Sequence, residues 1–223
     1  DEEAYLKLWD QILSACRSTG DDPVAEWEEH IKVLDEKAKF LHENELVKLH
    51  ITNNLGTDLY VGLPKNHIWQ SAGSYAKKAD RFVANIPTEE VFTMPHKDET
   101  SGIVYNAKPL NYSGVLIDNF WLKFEDGKVV DFGAERGYDV LKNLLETDEG
   151  SRRIGEMALV PYDSPISNTK ILFLETLFDE NAACHIALGK AYPTCVQGGP
   201  EMTDEQLAEV GANDSLVHVD FMI

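Results

Sequence analysis

Apolar residues recur at helical spacing through the first 48 residues of the chain. The first apolar stripe consists of Tyr5, Leu8, Trp9, Ile12, Leu13 and Cys16. The second follows Pro23 and consists of Trp27, Ile31, Leu34, Ala38 and Leu41. Residues 18–23 are polar, glycine or proline and interrupt the pattern between the two stripes. Residues 1–48 therefore predict two helices, each with one apolar face for packing.

From Leu49 onwards apolar and polar residues alternate, which is the pattern of half-buried strands. The predicted strands are residues 50–52, 58–63, 115–117, 120–124, 129–132, 157–160 and 217–223. Asp126-Gly127 between apolar runs predicts a β-hairpin. Helices are predicted at residues 138–145 and after Thr203. A further core element is predicted at residues 169–178. Strands and helices rarely alternate, so we expect an α+β fold: N-terminal helices followed by a mixed, largely antiparallel sheet with flanking helices.

The composition is that of a globular protein. The 223 residues are 43% hydrophobic, enough for a sizeable core, and no run of 18 or more apolar residues predicts a membrane span. The acidic first residues lack the apolar stretch of a signal peptide. Cys16, Cys184 and Cys195 are too few and too scattered for a disulfide framework. These features predict a cytoplasmic protein.

The charge is strongly negative, because 20 basic and 39 acidic residues give a formal net charge of -19. Such a charge repels phosphate backbones and anionic lipid, so neither nucleic acid nor a membrane is an expected partner. It would attract cations, including metal ions and substrates with a free ammonium group. Solubility alone also explains an acidic composition, so the charge permits a cation site without establishing one.

Residues 178–192 read F-D-E-N-A-A-C-H-I-A-L-G-K-A-Y. Asp179 or Asn181 can cap a helix here, and the Ala-rich interior favours one. On that helix His185 and Tyr192, seven residues apart, would lie on one side, beside small neighbours that leave room for a ligand. The alternative is a capped core helix whose single histidine has an internal hydrogen-bond partner.

The last predicted strand contains V-H-V-D-F at residues 217–221. Its valines and Phe221 would face the core, whereas His218 and Asp220 would point to the other side. An imidazole and a carboxylate about 7 Å apart along a strand can reach one cation or two adjacent ones. The alternative is an edge strand with two solvated polar residues.

Carboxylates interrupt two further apolar stretches. Glu156 lies in G-E-M-A-L-V-P at 155–161, where a buried carboxylate is unfavourable unless it is paired or metal-bound. Glu89 and Glu90 are adjacent between apolar runs, so in a regular strand only one of them would face a shared site. Nitrogen and oxygen donors without thiolates suit divalent cations such as Zn, Co, Mn or Mg. The motifs H-E-x-x-H, G-x-G-x-x-G, G-x-x-x-x-G-K-[ST] and G-x-S-x-G are absent.

Four longer segments carry a family resemblance. They are N-I-P-T-E-E-V-F-T-M-P-H (85–96), G-E-M-A-L-V-P (155–161), L-F-D-E-N-A-A-C-H-I-A-L-G (177–189) and V-H-V-D-F-M-I (217–223). In this order they resemble the thermophilic-type metalloaminopeptidases of the M29 family, which includes aminopeptidases T, S and PepS. The resemblance implies two divalent metal ions bound through Glu90, Glu156, His185, Tyr192, His218 and Asp220. It alone selects Glu90 over Glu89, and Tyr192 could equally donate a hydrogen bond to the tetrahedral intermediate.

The resemblance also implies an aminopeptidase that hydrolyses the N-terminal peptide bond with a water molecule activated by two metal ions. A free carboxylate must accept the proton of that water, and Glu89 is the candidate. Family members are nearly twice as long, so residues 1–223 would be their C-terminal metal-binding domain, with residues 1–48 as a helical lead-in. The implied partners are peptide substrates, the missing N-terminal domain and, at full length, a second copy in a homodimer.

An alternative from another class is a non-catalytic domain, metal-stabilised or metal-free, that docks a partner through its apolar helices. The helices of Trp9 and Trp27 would form that surface. The metalloenzyme interpretation instead requires the six implied residues to converge in one cleft. An isolated domain of this kind is expected to be folded but to bind metal weakly and to show little or no activity.

Overall fold

A computed structural model describes residues 2–75 and 81–223 of the chain. Its helices are α1 (Glu2–Ala15), α2 (Pro23–Glu43), α3 (Tyr138–Leu145), α4 (Pro165–Thr169), α5 (Thr176–Glu180) and α6 (Asp204–Glu209). Its strands are β1 (Lys48–Thr52), β2 (Asp58–Gly62), β3 (Gly73–Tyr75), β4 (Arg81–Val83), β5 (Val91–Thr93), β6 (Thr100–Tyr105), β7 (Leu110–Tyr112), β8 (Val115–Glu125), β9 (Lys128–Arg136), β10 (Ile154–Leu159), β11 (His185–Gly189) and β12 (His218–Met222).

The two N-terminal helices form where the apolar stripes predict them. Asp22 caps α2, because its side chain accepts a hydrogen bond from the amide three residues later, and Pro23 occupies the first turn. Leu34 and Ala38 are the buried residues of α2, whereas α1 buries only Ala15. Both helices are confirmed, and α1 leaves most of its apolar stripe exposed.

The strands form antiparallel sheets. A six-stranded sheet has the order β1-β2-β6-β8-β7, with β9 paired to β8. A four-stranded sheet has the order β12-β11-β10-β5, and β3 pairs with β4. Every pairing between the strands described is antiparallel. The α+β class is confirmed, but the strands are divided among separate sheets rather than joined in one.

The hairpin of β8 and β9 confirms the turn prediction. Asp126 and Gly127 have φ angles of 49° and 77°, the left-handed conformation that a tight hairpin turn needs. Phe120 of β8 meets Phe221 of β12, with ring centroids 5.0 Å apart, in a core that both large sheets share. The other face of the four-stranded sheet is therefore left free of this core.

Two helices among the later residues also follow the sequence prediction. α3 covers the predicted residues, and α6 begins directly after Thr203. The Thr203 side chain accepts a hydrogen bond from the amide of Gln206, whose own side chain accepts one from the Thr203 amide. None of the helices described is long and apolar enough to cross a lipid bilayer.

Two predictions between residues 169 and 192 are wrong. Residues 169–178 are not one core element, because α4 ends at Thr169, α5 begins at Thr176 and the chain between them is irregular. The helix predicted across 178–192 ends at Glu180, and His185 lies on β11 instead. β11 is paired on both sides, with β10 and β12, so strand pairing outweighs the helical preference of its alanine.

Candidate metal centre

Three neighbouring strands present polar side chains on one face of the four-stranded sheet. β10 contributes Glu156, β11 contributes His185, and β12 contributes His218 and Asp220. Ala187 at the middle of β11 lies opposite both Glu156 and Asp220. Because alternate residues of a strand share a face, all four polar side chains point to the side that Ala187 faces.

Small residues lie opposite both histidines on this face. Ala158 lies opposite His185, and Gly189 lies opposite His218. These small neighbours of the histidines lie on paired strands and not on a helix, and on β12 His185 pairs with the larger Met222. The opposite face of β11 and β12 packs into the hydrophobic core.

A β-bulge aims Glu156 at this face. The pairing of β10 with β11 shifts register between Ile154 and Glu156, which makes Gly155 the extra residue. A Cβ atom on Gly155 would lie 2.3 Å from the carbonyl oxygen of Gly189, so the close approach of the two strands requires glycine. Ile154 packs in the core while Glu156 enters the polar face, because the bulge breaks the regular alternation.

Glu90 reaches the same place from the segment that leads into β5. Its Oε2 atom lies 2.8 Å from Nε2 of His185. Glu89 points the other way, and both of its carboxylate oxygens bond to the guanidinium of Arg17. Only one of the two adjacent glutamates faces the site, as expected, but Glu89 is buried and paired rather than free.

The candidate ligand atoms fall into three groups, and within each group they lie no more than 4.8 Å apart. The groups are Glu90, Glu156 and His185; Glu156, His218 and Asp220; and Glu180, His185 and Asp220. Because the groups share members, they form one continuous cluster. The implied ligands other than Tyr192 therefore converge, as the metalloenzyme interpretation requires.

Tyr192 lies beside this cluster, in the chain that follows β11. It directly precedes a short 3-10 helix at 193–195, so the prediction that it shares a helix with His185 is wrong. Its ring centroid is 4.8 Å from that of His218. Burial, followed by the charges of Glu156 and Asp220, raises the pKa of the Tyr192 phenol to about 12. Without a cation, the hydroxyl keeps its proton at neutral pH and can donate a hydrogen bond.

Main-chain carbonyl groups orient both imidazoles. Nδ1 of His185 lies 3.1 Å from the oxygen of Ala183, and Nδ1 of His218 lies 2.7 Å from the oxygen of Lys190. A carbonyl oxygen only accepts hydrogen bonds, so each Nδ1 carries a proton. In the neutral imidazole Nε2 then has a lone pair, as a metal-ligating histidine needs. The alternative of a core histidine with internal partners accounts for Nδ1 of His185, but it accounts for the 2.8 Å contact of Nε2 with Glu90 only if the ring is protonated.

Three buried atoms of the cluster have no hydrogen-bond partner outside it within the described chain. Nε2 of His185 and Oε2 of Glu90 have only each other, at 2.8 Å, and Oδ1 of Asp220 has none. Over the same residues, the ion pairs of Glu90, Glu156 and Asp220 involve the two histidines and no lysine or arginine. Three carboxylates outnumber the two imidazoles that can carry a positive charge, and a bound cation would remove the penalty of the unbalanced buried charge. These residues therefore fit divalent metal ions.

The crowded carboxylates also shift the protonation of the cluster. Burial raises the pKa of Glu156 to about 7, with Asp220 and Glu90 adding to the effect and His185 opposing it. Burial by itself lowers the pKa of His218, but Asp220 above all outweighs it, and the pKa rises to about 9. His185 follows the same pattern: burial lowers its pKa, while Glu156 and Glu90 raise it well above the ordinary value. A cation bound here would displace protons.

Glu180 belongs to the cluster, although no motif in the sequence identified it. It is the last residue of α5, and its carboxylate lies with His185 and Asp220. Burial, followed by the charge of Asp220, raises its pKa to about 9. The available signal was an acidic residue five positions before His185. A helix through both residues would have turned their side chains about 140° apart, so the wrong helix prediction concealed the relationship.

Comparisons with known proteins match the whole chain. The family model described as thermophilic metalloprotease (M29) covers residues 1–223. Aminopeptidase 2 of Geobacillus stearothermophilus is 52% identical and Aminopeptidase AmpS of Bacillus subtilis is 51% identical, each over all of this chain and 54% of the relative. The structure of wild-type AmpT from Thermus thermophilus aligns with a TM-score of 0.90 and 45% identity, over 100% of this chain and 53% of that one. The chain thus spans about half the length of the relatives it matches.

Proposed function

Because the chain belongs to the M29 family of thermophilic metalloproteases, we propose that it forms the metal-binding catalytic domain of a metal-dependent aminopeptidase. The observation that carries the proposal is the cluster of carboxylates and imidazoles at one sheet face, whose ion pairs within the described residues include no lysine or arginine. Relatives named as aminopeptidases match the entire chain, which covers 54% of each. Residues 1–223 would then be the C-terminal domain of a longer enzyme, with residues 1–48 as its helical lead-in.

The donor set suits two divalent cations, such as Zn, Co, Mn or Mg. When bound, such ions lower the pKa of a shared water molecule and polarise the carbonyl group of the scissile bond. Glu90 and His185 would hold one cation, and His218 and Asp220 the other. Glu156 would contribute to both cation sites. Its carboxylate lies with Glu90 and His185 in one group of ligand atoms and with His218 and Asp220 in another.

Glu180 would accept the proton of the attacking water. Its half-buried carboxylate lies with the ligand atoms of His185 and Asp220, and no lysine or arginine of the described chain pairs with it. Glu89, the candidate from the sequence, has both oxygens bonded to Arg17. A general base needs an ionised carboxylate within reach of the proton, and a cation bound beside Glu180 would favour its ionised form. With Glu180 the cluster has four carboxylates, and their combined negative charge, when all are ionised, would balance two divalent cations.

Tyr192 would act as a hydrogen-bond donor. Its protonated phenol, next to His218, could stabilise the carbonyl oxygen of the scissile bond as negative charge develops there. The acidic surroundings would also attract the α-ammonium group of a peptide, which distinguishes an exopeptidase substrate from an internal peptide bond. The proposed substrates are therefore peptides with a free N-terminus.

The full-length protein tests this function. Release of an amino acid from a fluorogenic aminoacyl amide is measured before chelation, after chelation, and after each divalent ion is returned alone. We expect chelation to abolish activity and at least one ion to restore it. The matched N-acetylated amide should not be cleaved. Metal binding without hydrolysis of any aminoacyl amide would contradict the catalytic role.

A second function, docking of a partner through the N-terminal helices, is favoured by one observation. Tyr5, Leu8 and Trp9 of α1 are exposed. Trp27 does not contribute to such a surface, because it is half-buried and its indole donates a hydrogen bond to the Cys16 carbonyl. In a full-length enzyme the N-terminal domain, or a second copy in a homodimer, would cover the exposed face of α1. Both functions can coexist, and only the peptidase assay tests the first.

A further inference from the structure

Glu89 and Arg17 form an ion pair directly beside the proposed metal centre. Nη1 of Arg17 bonds to one carboxylate oxygen, and Nη2 bonds to the other at 3.0 Å. Glu89 is only 3% exposed, so little water competes for the pair. The next residue, Glu90, points the opposite way and approaches His185. The ion pair therefore holds the chain one residue away from a proposed metal ligand.

The two N-terminal helices hold Arg17 in place. Its guanidinium lies 5.5 Å from the centre of the Trp27 ring, and the Trp27 indole donates a hydrogen bond of 2.8 Å to the main-chain carbonyl preceding Arg17. His30 of α2 contacts the same acidic segment, since its Nε2 lies 2.8 Å from the carbonyl oxygen of Thr88. The segment before Glu90 is thus attached to both helices.

A second anchor comes from the end of α5. The amide of Glu89 donates a hydrogen bond of 2.7 Å to Oδ1 of Asn181, and the side-chain amide of Asn181 donates one of 2.8 Å to the carbonyl of Leu177. Asn181 directly follows Glu180. The main chain of Glu89 is therefore attached to the helix that carries Glu180, while its side chain is attached to the connection between α1 and α2.

Arg17 has a backbone conformation that glycine usually occupies. Its φ angle is 52°. The amides of Arg17 and Ser18 bond to the carbonyls of Ser14 and Leu13, which closes the end of α1. At this position of a helix end glycine is common, because a side chain strains the left-handed backbone. An arginine at a strained position indicates a task for its side chain.

We propose that Arg17 and Glu89 are positioning residues that set Glu90 in the metal centre and take no part in proton transfer. The inference rests on the proposed metal centre. Both ends of the Glu89 residue are held, its carboxylate by Arg17 and its amide by Asn181, so the direction of the following side chain is determined. Mutation of residues that orient a metal ligand typically lowers metal affinity tenfold to a hundredfold.

Binding of Co²⁺ to the full-length, chelator-stripped protein tests the inference. The double variant Arg17→Gly/Glu89→Gln removes both charges and places at position 17 the residue that its backbone favours, so we expect the metal-free melting temperature to be kept. We expect the dissociation constant of Co²⁺ to rise about tenfold to a hundredfold, with a changed visible spectrum of the bound ion. Wild-type affinity and spectrum in this variant would overturn the inference, because the variant has no side-chain contact between positions 17 and 89.

A second variant and a control complete the test. Arg17→Lys keeps the charge but not the two-pronged contact, so it should weaken Co²⁺ binding less than the double variant; wild-type affinity would overturn the inference even if the double variant did not fold. The control Arg81→Met/Asp35→Asn removes a similar pair, in which both oxygens of Asp35 accept from Arg81 at 2.6 Å, and should leave Co²⁺ affinity unchanged. Weakening by the control to the same extent would also overturn it. Failure of the wild type to bind Co²⁺ would refute the metal centre itself.

Discussion

Nδ1 of His218 lies 2.7 Å from the main-chain oxygen of Lys190. Lys190 directly follows β11, and the register of β11 with β12 places Gly189 opposite His218. The strand pairing itself therefore supplies the group that orients this imidazole and leaves its Nε2 for the centre of the cluster. A ligand oriented by the main chain keeps its direction when neighbouring side chains change. Single substitutions in the cluster can consequently test one role at a time.

His185→Gln in the full-length enzyme should lower kcat/KM by at least about a hundredfold, because it removes a metal ligand. Glu156→Gln should have a similar effect. The fold should persist, which circular dichroism and the melting temperature of the metal-free protein would show. Activity within about tenfold of the wild type, a loss of about 1.4 kcal/mol or less, would remove that residue from the ligand set.

The control for these substitutions is His50→Gln. His50 lies on β1, where Nε2 is 2.8 Å from a carboxylate oxygen of Asp58 and the imidazole is exposed. Neither metal content nor activity should change in this variant. A loss equal to that of His185→Gln would show that the assay responds to histidine replacement in general.

Glu180→Gln should separate catalysis from metal binding. If Glu180 accepts the proton of water, the variant should retain metal affinity within about threefold, while kcat falls by roughly a hundredfold or more. Metal content by atomic absorption and steady-state kinetics on an aminoacyl amide would measure the two effects. Loss of the metal together with activity would instead identify Glu180 as a ligand.

Tyr192→Phe should lower kcat with little change in metal affinity. The phenol has its pKa raised to about 12, so it remains a protonated donor, and removing one donor to a developing oxyanion typically costs about 3 kcal/mol. The aromatic contact with His218 is kept by phenylalanine. Co²⁺ spectra before and after the substitution provide the decisive comparison: a changed spectrum and a weaker complex would make Tyr192 a ligand.

Metal affinity should rise with pH up to about pH 9, because the pKa of His218 is raised to about 9 and that of Glu156 to about 7. Below these values the groups hold protons that must leave before metal binds, so affinity falls as pH falls. Each displaced proton contributes about tenfold per pH unit. With two histidines of ordinary pKa, metal affinity would instead begin to fall only below about pH 6.5. Titration calorimetry from pH 5 to 9 measures the slope, and flat affinity would argue against the site.

Gly189→Ala should destabilise the domain by roughly 2–4 kcal/mol. The φ angle of Gly189 is 106°, and a Cβ atom there would lie 2.1 Å from the carbonyl oxygen of Val217. Gly114→Ala is the matched control, because Gly114 has a φ of 77° with no atom within 4 Å of its Cβ position. It should cost about 1 kcal/mol, the strain of the backbone alone. Equal effects in urea denaturation would show that the strand contact at Gly189 is unimportant.

The adjacent glutamates show where residue patterns stop being informative. Alternation predicted that only one of Glu89 and Glu90 would face the site, which is what the structure shows. Neither burial nor charge in the sequence could select between them, because both residues are identical and neighbours. The choice depends on Arg17, which lies 72 positions away from Glu89 and is positioned there by the packing of α1 and α2.

By itself the sequence determined the two N-terminal helices, the β8–β9 hairpin, the alternation that directs His218 and Asp220 to one face, and the family. The tertiary structure alone decided that His185 lies on a strand, that a bulge aims Glu156 at the cluster, and that Glu180 joins it. The physical reason is the range of each interaction. Periodicity records the burial of residues a few positions apart, whereas the cluster depends on Ala187 pairing with two strands that are distant from each other in sequence.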